Sequence, residues 1–138
     1  MPTSSIIYLG DLRTEATHIQ SGVSIITDAP TDNQGKGQAF SPTDLVATAL
    51  GNCMLTLMGI ACNNHQIPDI KGTSVQIQKH MGTDPRRIIA IDVDIQISDR
   101  GLNDKQKEIL QRAALTCPVA KSLNPEIKQN VSFTFIQA

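Results

Sequence analysis

The chain has no tryptophan, one tyrosine and three phenylalanines, so aromatic residues make up only 3% of its 138 positions. Stacking platforms for bases or sugars are nearly excluded, and a core has to be assembled from Ile, Leu, Val, Ala and Met. Neither sign of charge is in excess, with 12 Lys plus Arg against 13 Asp plus Glu. No segment gathers basic residues into a run that would grip phosphate, which argues against nucleic acid as a partner. Pro85-Arg86-Arg87 and Lys105 to Lys107 read as a solvated turn and a solvated helix face. Cysteine is scarce and odd in number, three in all, which argues against a disulfide framework and suits a reducing compartment. Met1 to Gly10 lacks the basic start, apolar stretch and cleavage site of a secretory signal, so a cytoplasmic location is expected. The most apolar tract, Leu45 to Cys62, is interrupted by Thr48, Gly51, Asn52, Thr56 and Gly59. It suits a buried helix better than a membrane span.

What is present organises as one domain over 1–138, of α+β class. Ile6 to Thr27 is extended and broken at Ser21-Gly22, which predicts an N-terminal hairpin. Asp28 to Gln38, with Pro30, Asn33, Gly35 and Gly37, predicts a loop. A helix then starts with three agreeing signals: Ser41 as cap, Pro42 at the first helical position and Asp44 as the capping-box acid. It should run from about Pro42 to Asn64. Its apolar residues cover nearly the whole circumference, which predicts burial all round. Ser74 to Met81 and Ile88 to Ser98 alternate as an antiparallel hairpin turning at Gly82 to Pro85. Asn103 and Gln106 open a second helix that Pro118 stops, Pro118 to Leu123 forms a short third one with Cys117 as its N-cap, and Val131 to Ile136 is a closing strand.

The chemistry-bearing candidates are cysteines. A thiol attacks peroxide only as thiolate, so a reactive cysteine needs a cation or free backbone N–H groups beside it. Cys53 lies about three turns inside the long helix among apolar neighbours, a setting that disfavours the thiolate. A functional Cys53 therefore requires a cation brought in by tertiary structure, and Arg13 of the N-terminal strands is the candidate. Cys117 stands at a helix start, where amides favour a thiolate. Cys62 falls on the face of the long helix opposite Cys53 and reads as a small core hydrophobe. Cys62 and His65 supply two ligands where a structural zinc takes four, and His18 and His80 stand singly, so no metal and no other cofactor is expected.

Ser41-Pro42-Thr43-Asp44-Leu45-Val46-Ala47-Thr48-Ala49-Leu50-Gly51-Asn52-Cys53-Met54 resembles the central-helix motif of the OsmC/Ohr family, the osmotically inducible and organic hydroperoxide resistance proteins. Leu115-Thr116-Cys117-Pro118-Val119-Ala120-Lys121-Ser122-Leu123 resembles the family's second-cysteine segment. With the order of strands and helices, the likeness covers essentially the whole chain. It implies antiparallel sheets wrapped around long central buried helices in an intertwined homodimer, with active sites at the subunit interface. It implies too that Cys53 attacks an organic hydroperoxide to give a sulfenic acid and an alcohol. Cys117 then resolves that acid to a disulfide, which an external dithiol reduces. By the same resemblance Arg13 polarises Cys53. Members of the hydroperoxide-resistance type hold that arginine with a Glu directly after the helix-start Pro. Here the residue is Thr43, which cannot form the ion pair, and Asp44 would replace it only if the first turn were displaced. The sequence thus groups with the broader OsmC-like branch. Two other readings use the same residues: a non-catalytic dimer binding an apolar small molecule beside Cys53, and a redox sensor built on the Cys53–Cys117 pair.

Overall fold

A computed structural model describes residues 1–138, which fall into two compact units, Met1–Val46 and Ala47–Ala138. The first is an antiparallel meander of β1 (Ser4–Gly10), β2 (Arg13–His18) and β3 (Ser24–Asp28). This corrects the expected single hairpin about Ser21-Gly22, because the chain also reverses at Asp11-Leu12. Those residues join the paired Gly10 and Arg13 with φ of 53° and 64°, as in a two-residue hairpin turn. Leucine is a poor occupant of left-handed backbone, so the turn is nearly silent in the sequence.

The loop after β3 closes on itself. The amide of Gly37 donates to the Ala29 carbonyl at 3.2 Å, and that of Gly35 to the Pro30 carbonyl at 2.9 Å. Any side chain on Gly35 would collide with the Ala29 carbonyl, which is why glycine stands there. The loop ends at α1 (Pro42–His65), whose start is capped as expected: the Asp44 amide donates to Ser41 Oγ at 3.1 Å and the Ser41 amide to Asp44 Oδ2 at 3.0 Å.

Burial of α1 is one-sided, which corrects the expectation of burial all round. Ala47, Leu50, Gly51, Met54, Met58, Ala61 and Cys62 form a buried stripe at helical spacing, whereas Val46 and Ile60 are 40% and 45% exposed. By length and composition α1 is also apolar enough to cross a membrane. At Gly51 the sheet comes close, with Ile77 and Val75 side chains 3.0–3.3 Å from where a Cβ would stand.

The second unit sets α1 residues 47–65 against a sheet ordered β4 (Ser74–Gly82), β5 (Arg87–Asp99), β6 (Lys128–Gln137). β4 and β5 pair antiparallel with Val75 opposite Ile95 and Ile77 opposite Val93. Alternate residues Ile91, Val93, Ile95 and Ile97 of β5 point into the core and are no more than 1% exposed. β6 runs parallel to β5, from Ala90 opposite Lys128 to Asp99 opposite Gln137. The expectation of antiparallel sheets is met by the first sheet and by β4–β5 but not here. A parallel partner needs a crossover, and α2 (Asp104–Leu115) and α3 (Pro118–Ser122) supply it. Asn103 and Gln106 form the expected capping box on α2, and Leu110 and Ala114 anchor its inner face.

Candidate active site

Within the second unit, the crossover brings Cys117 to α1. Helix α2 ends at Leu115, Pro118 opens α3, and Cys117 between them is the N-cap of α3. Its side chain is fully buried, while Cys53 is half-buried on α1. The two thiols are neighbours, and all three cysteines are free. Cys117 Sγ accepts from the Ala120 amide at 3.4 Å. Burial pushes the Cys117 thiol up; the Ala120 and Val119 amides oppose that, and the neighbouring Cys53 adds to it. Strand β6 steadies α3 from behind, Gln129 Nε2 donating to the Ala120 carbonyl at 3.0 Å.

Cys62 is a core residue. It is buried, donates to the Pro68 carbonyl at 3.8 Å, and its thiol is pushed up by burial and then by Asp69. His18 Nδ1 meets Ser21 Oγ at 2.6 Å and His80 Nε2 meets Asp92 Oδ2 at 2.7 Å. No three His, Cys, Asp or Glu side chains gather as a metal site.

Within the first unit, Arg13 is gripped by a carboxylate that the sequence reading overlooked. Arg13 Nε donates to Asp28 Oδ1 at 2.7 Å and Nη2 to Oδ2 at 2.8 Å, a two-pronged fork. Nη2 also donates to Gln38 Oε1 at 3.0 Å. Arg13 and Asp28 stand directly opposite each other on β2 and β3. The Arg13 guanidinium is the largest influence on Asp28 and holds its carboxyl below the usual range although burial pulls upward. Asp44 serves as the capping acid of α1, and Thr43 Oγ1 lies 3.3 Å from Ser41 Oγ. Arg13 thus takes its ion pair from β3. Asp28 is legible only through the β2–β3 register, which sets it opposite Arg13.

Two three-stranded sheets, a long helix bearing one thiol and a crossover bearing its partner define an α+β dithiol protein. The chain belongs to the family of OsmC-like proteins, whose family model matches residues 35–132. A crystal structure from Psychrobacter arcticus, provisionally assigned to osmotic stress induction and detoxification response, is 53% identical over 96% of both chains, with a TM-score of 0.91. The Legionella pneumophila organic hydroperoxide resistance protein OsmC matches at 17% identity and TM-score 0.74, over 97% of this chain and 98% of its own. An OsmC-like protein from Mycoplasma pneumoniae matches at 17% identity and TM-score 0.79, over 96% and 95%. These last two share the fold. No curated protein sequence matches the chain.

Proposed function

We propose that this protein is a cysteine-based peroxidase that reduces organic hydroperoxides to alcohols in the cytoplasm, without a cofactor. The observation that carries the reading is the neighbouring pair of thiols, Cys53 half-open on α1 and Cys117 closed behind it. In the first step the Cys53 thiolate attacks the terminal peroxide oxygen. The O–O bond breaks, the sulfur becomes a sulfenic acid, and the alkoxide takes a proton to leave as the alcohol. In the second step Cys117 gives up its proton and attacks the Cys53 sulfur, releasing water and forming the disulfide. An external dithiol then restores both thiols by exchange and is itself oxidised to a disulfide. Arg13 is the cation that stabilises the Cys53 thiolate in this reading.

A homodimer completes it. Ile6, Ile7, Tyr8 and Leu9 of β1 are 52–65% exposed, and residues 1–46 bury only Thr27, Asp28 and Ser41. A three-stranded meander without an apolar core of its own needs a surface to lie on, and so does the open stripe of α1. Sedimentation equilibrium should give about twice the chain mass of 14.9 kDa; a monomer at micromolar concentration would remove the dimer from the proposal.

A non-catalytic binder has one observation in its favour, an apolar groove of about 360 Å³ lined by Leu57, Ile60, Ala61, Ile109, Ala113 and Thr116 among others. One assay separates the readings: reduced protein is mixed with cumene hydroperoxide, and peroxide and free thiols are followed with and without excess dithiol. Many turnovers with dithiol are expected. A single equivalent consumed whatever the dithiol would indicate a sensor, and no consumption with unchanged thiols would leave the binder.

A further inference from the structure

We propose that Asp28 is the positioning residue of Arg13, fixing the guanidinium by its Nε–Nη2 edge and leaving Nη1 as the unclamped donor end. The inference rests on the role given above to Arg13 and adds how that arginine is aimed.

A guanidinium carries five N–H bonds in a rigid plane. The single one on Nε goes to Asp28 Oδ1, and the two on Nη2 go to Asp28 Oδ2 and Gln38 Oε1. Asp28 and Gln38 take neither of the two on Nη1. The anchor is closed and the reaching end open, since the Asp28 side chain is 1% exposed and that of Arg13 30%. Asp28 is itself held on three sides. It faces Arg13 in the β2–β3 register, its amide donates to the Phe40 carbonyl at 3.1 Å, and its Oδ2 accepts from the Gln38 amide at 3.1 Å. The loop from Ala29 to Gly37 is closed by its own backbone bonds, so its two ends carry the whole clamp. A flexible arginine is thereby reduced to one orientation before substrate arrives, which is how pre-organisation contributes to rate.

The sign of one measurement distinguishes positioning from simple charge. If Asp28 were only a counter-charge, Asp28→Asn would leave a stronger cation and make Cys53 more reactive. If it positions Arg13, the same change frees the guanidinium and makes Cys53 less reactive. Two readouts are taken: hydroperoxide turnover with excess dithiol in the full protein, and iodoacetamide alkylation of Cys53 across pH in the Cys117→Ser protein. For Asp28→Asn, a fall of about tenfold to a hundredfold in kcat/KM is expected, with the alkylation midpoint raised by about one pH unit. Arg13→Lys, which cannot form the fork, should fall similarly, and Asp28→Asn added to it should cost nothing further. Gln38→Ala, at an exposed position, should fall about threefold in the same direction and remains decisive should Asp28→Asn fail to fold.

An Asp28→Asn protein as fast as wild type or faster, with Arg13→Lys slow, would overturn the positioning role. So would unchanged Gln38→Ala values where Asp28→Asn is unfolded. Arg13→Lys equal to wild type in both readouts would overturn the role of Arg13 and this inference with it. Alkylation shifts as expected in a protein inert to hydroperoxide would sink the peroxidase reading while upholding the clamp.

Discussion

Cys53→Ser is expected to lower hydroperoxide consumption by at least about a thousandfold, because a hydroxyl at neutral pH supplies almost no nucleophile and the site's other thiol, Cys117, is buried. Cys117→Ser should behave differently. Its Cys53 still attacks the first equivalent of peroxide, but the sulfenic acid has no neighbouring thiol, so turnover stalls and the acid becomes trappable by dimedone. Cys62 is buried and bonded to the Pro68 carbonyl, so Cys62→Ala should retain turnover. Peroxide kinetics with mass spectrometry of the trapped adduct read all three variants. Full activity in Cys53→Ser would refute the assignment, and a rapidly cycling Cys117→Ser would remove the resolving role.

Met54→Ala is expected to cost about 2–5 kcal/mol of stability. Met54 is 0% exposed in the cluster formed by Leu50 and Met58 of α1, the inward face of β5, and Leu110 and Ala114 of α2. Truncation there loses transfer energy and leaves a cavity bounded by both helix and sheet, which cannot collapse onto one side. Met54→Leu nearly conserves volume and should cost under about 1.5 kcal/mol. Urea unfolding of the reduced proteins measures both, and equal stability of Met54→Ala and wild type would show that this helix face is not the core.

The starts of α1 and α2 were legible in the sequence because capping is local: Ser41 with Asp44 and Asn103 with Gln106 each act within one turn. The β4–β5 hairpin was legible because alternate residues from Ile91 to Ile97 must point one way. Three features were not. The Asp11-Leu12 reversal places a leucine in left-handed backbone, which blunts the turn signal of Gly10-Asp11. Helix α1 was read as buried all round because composition cannot tell an apolar face that meets the chain's own sheet from one left open in a single chain. β6 gave no sign of its direction, since a strand's pattern is the same parallel or antiparallel. The site divides likewise. Cys53 and Cys117 were named from their motifs, and the structure brings their sulfurs together. The clamp was missed because Asp28 looks like the first residue of a loop until β2 and β3 are aligned.

The parallel pairing of β6 with β5 joins side chains 38 residues apart, as between Asn130 and Asp92. Closing a chain segment of that length costs on the order of 3 kcal/mol of loop entropy, and no local turn shares the burden. Non-local pairings of this kind form late on the folding path. Cys117 lies inside the closed segment and is steadied by β6, so the meeting of the two sulfurs belongs to the finished chain. A nascent or truncated polypeptide would carry both cysteines without the strand that steadies α3, and the couple proposed above would be complete only once that last strand docked.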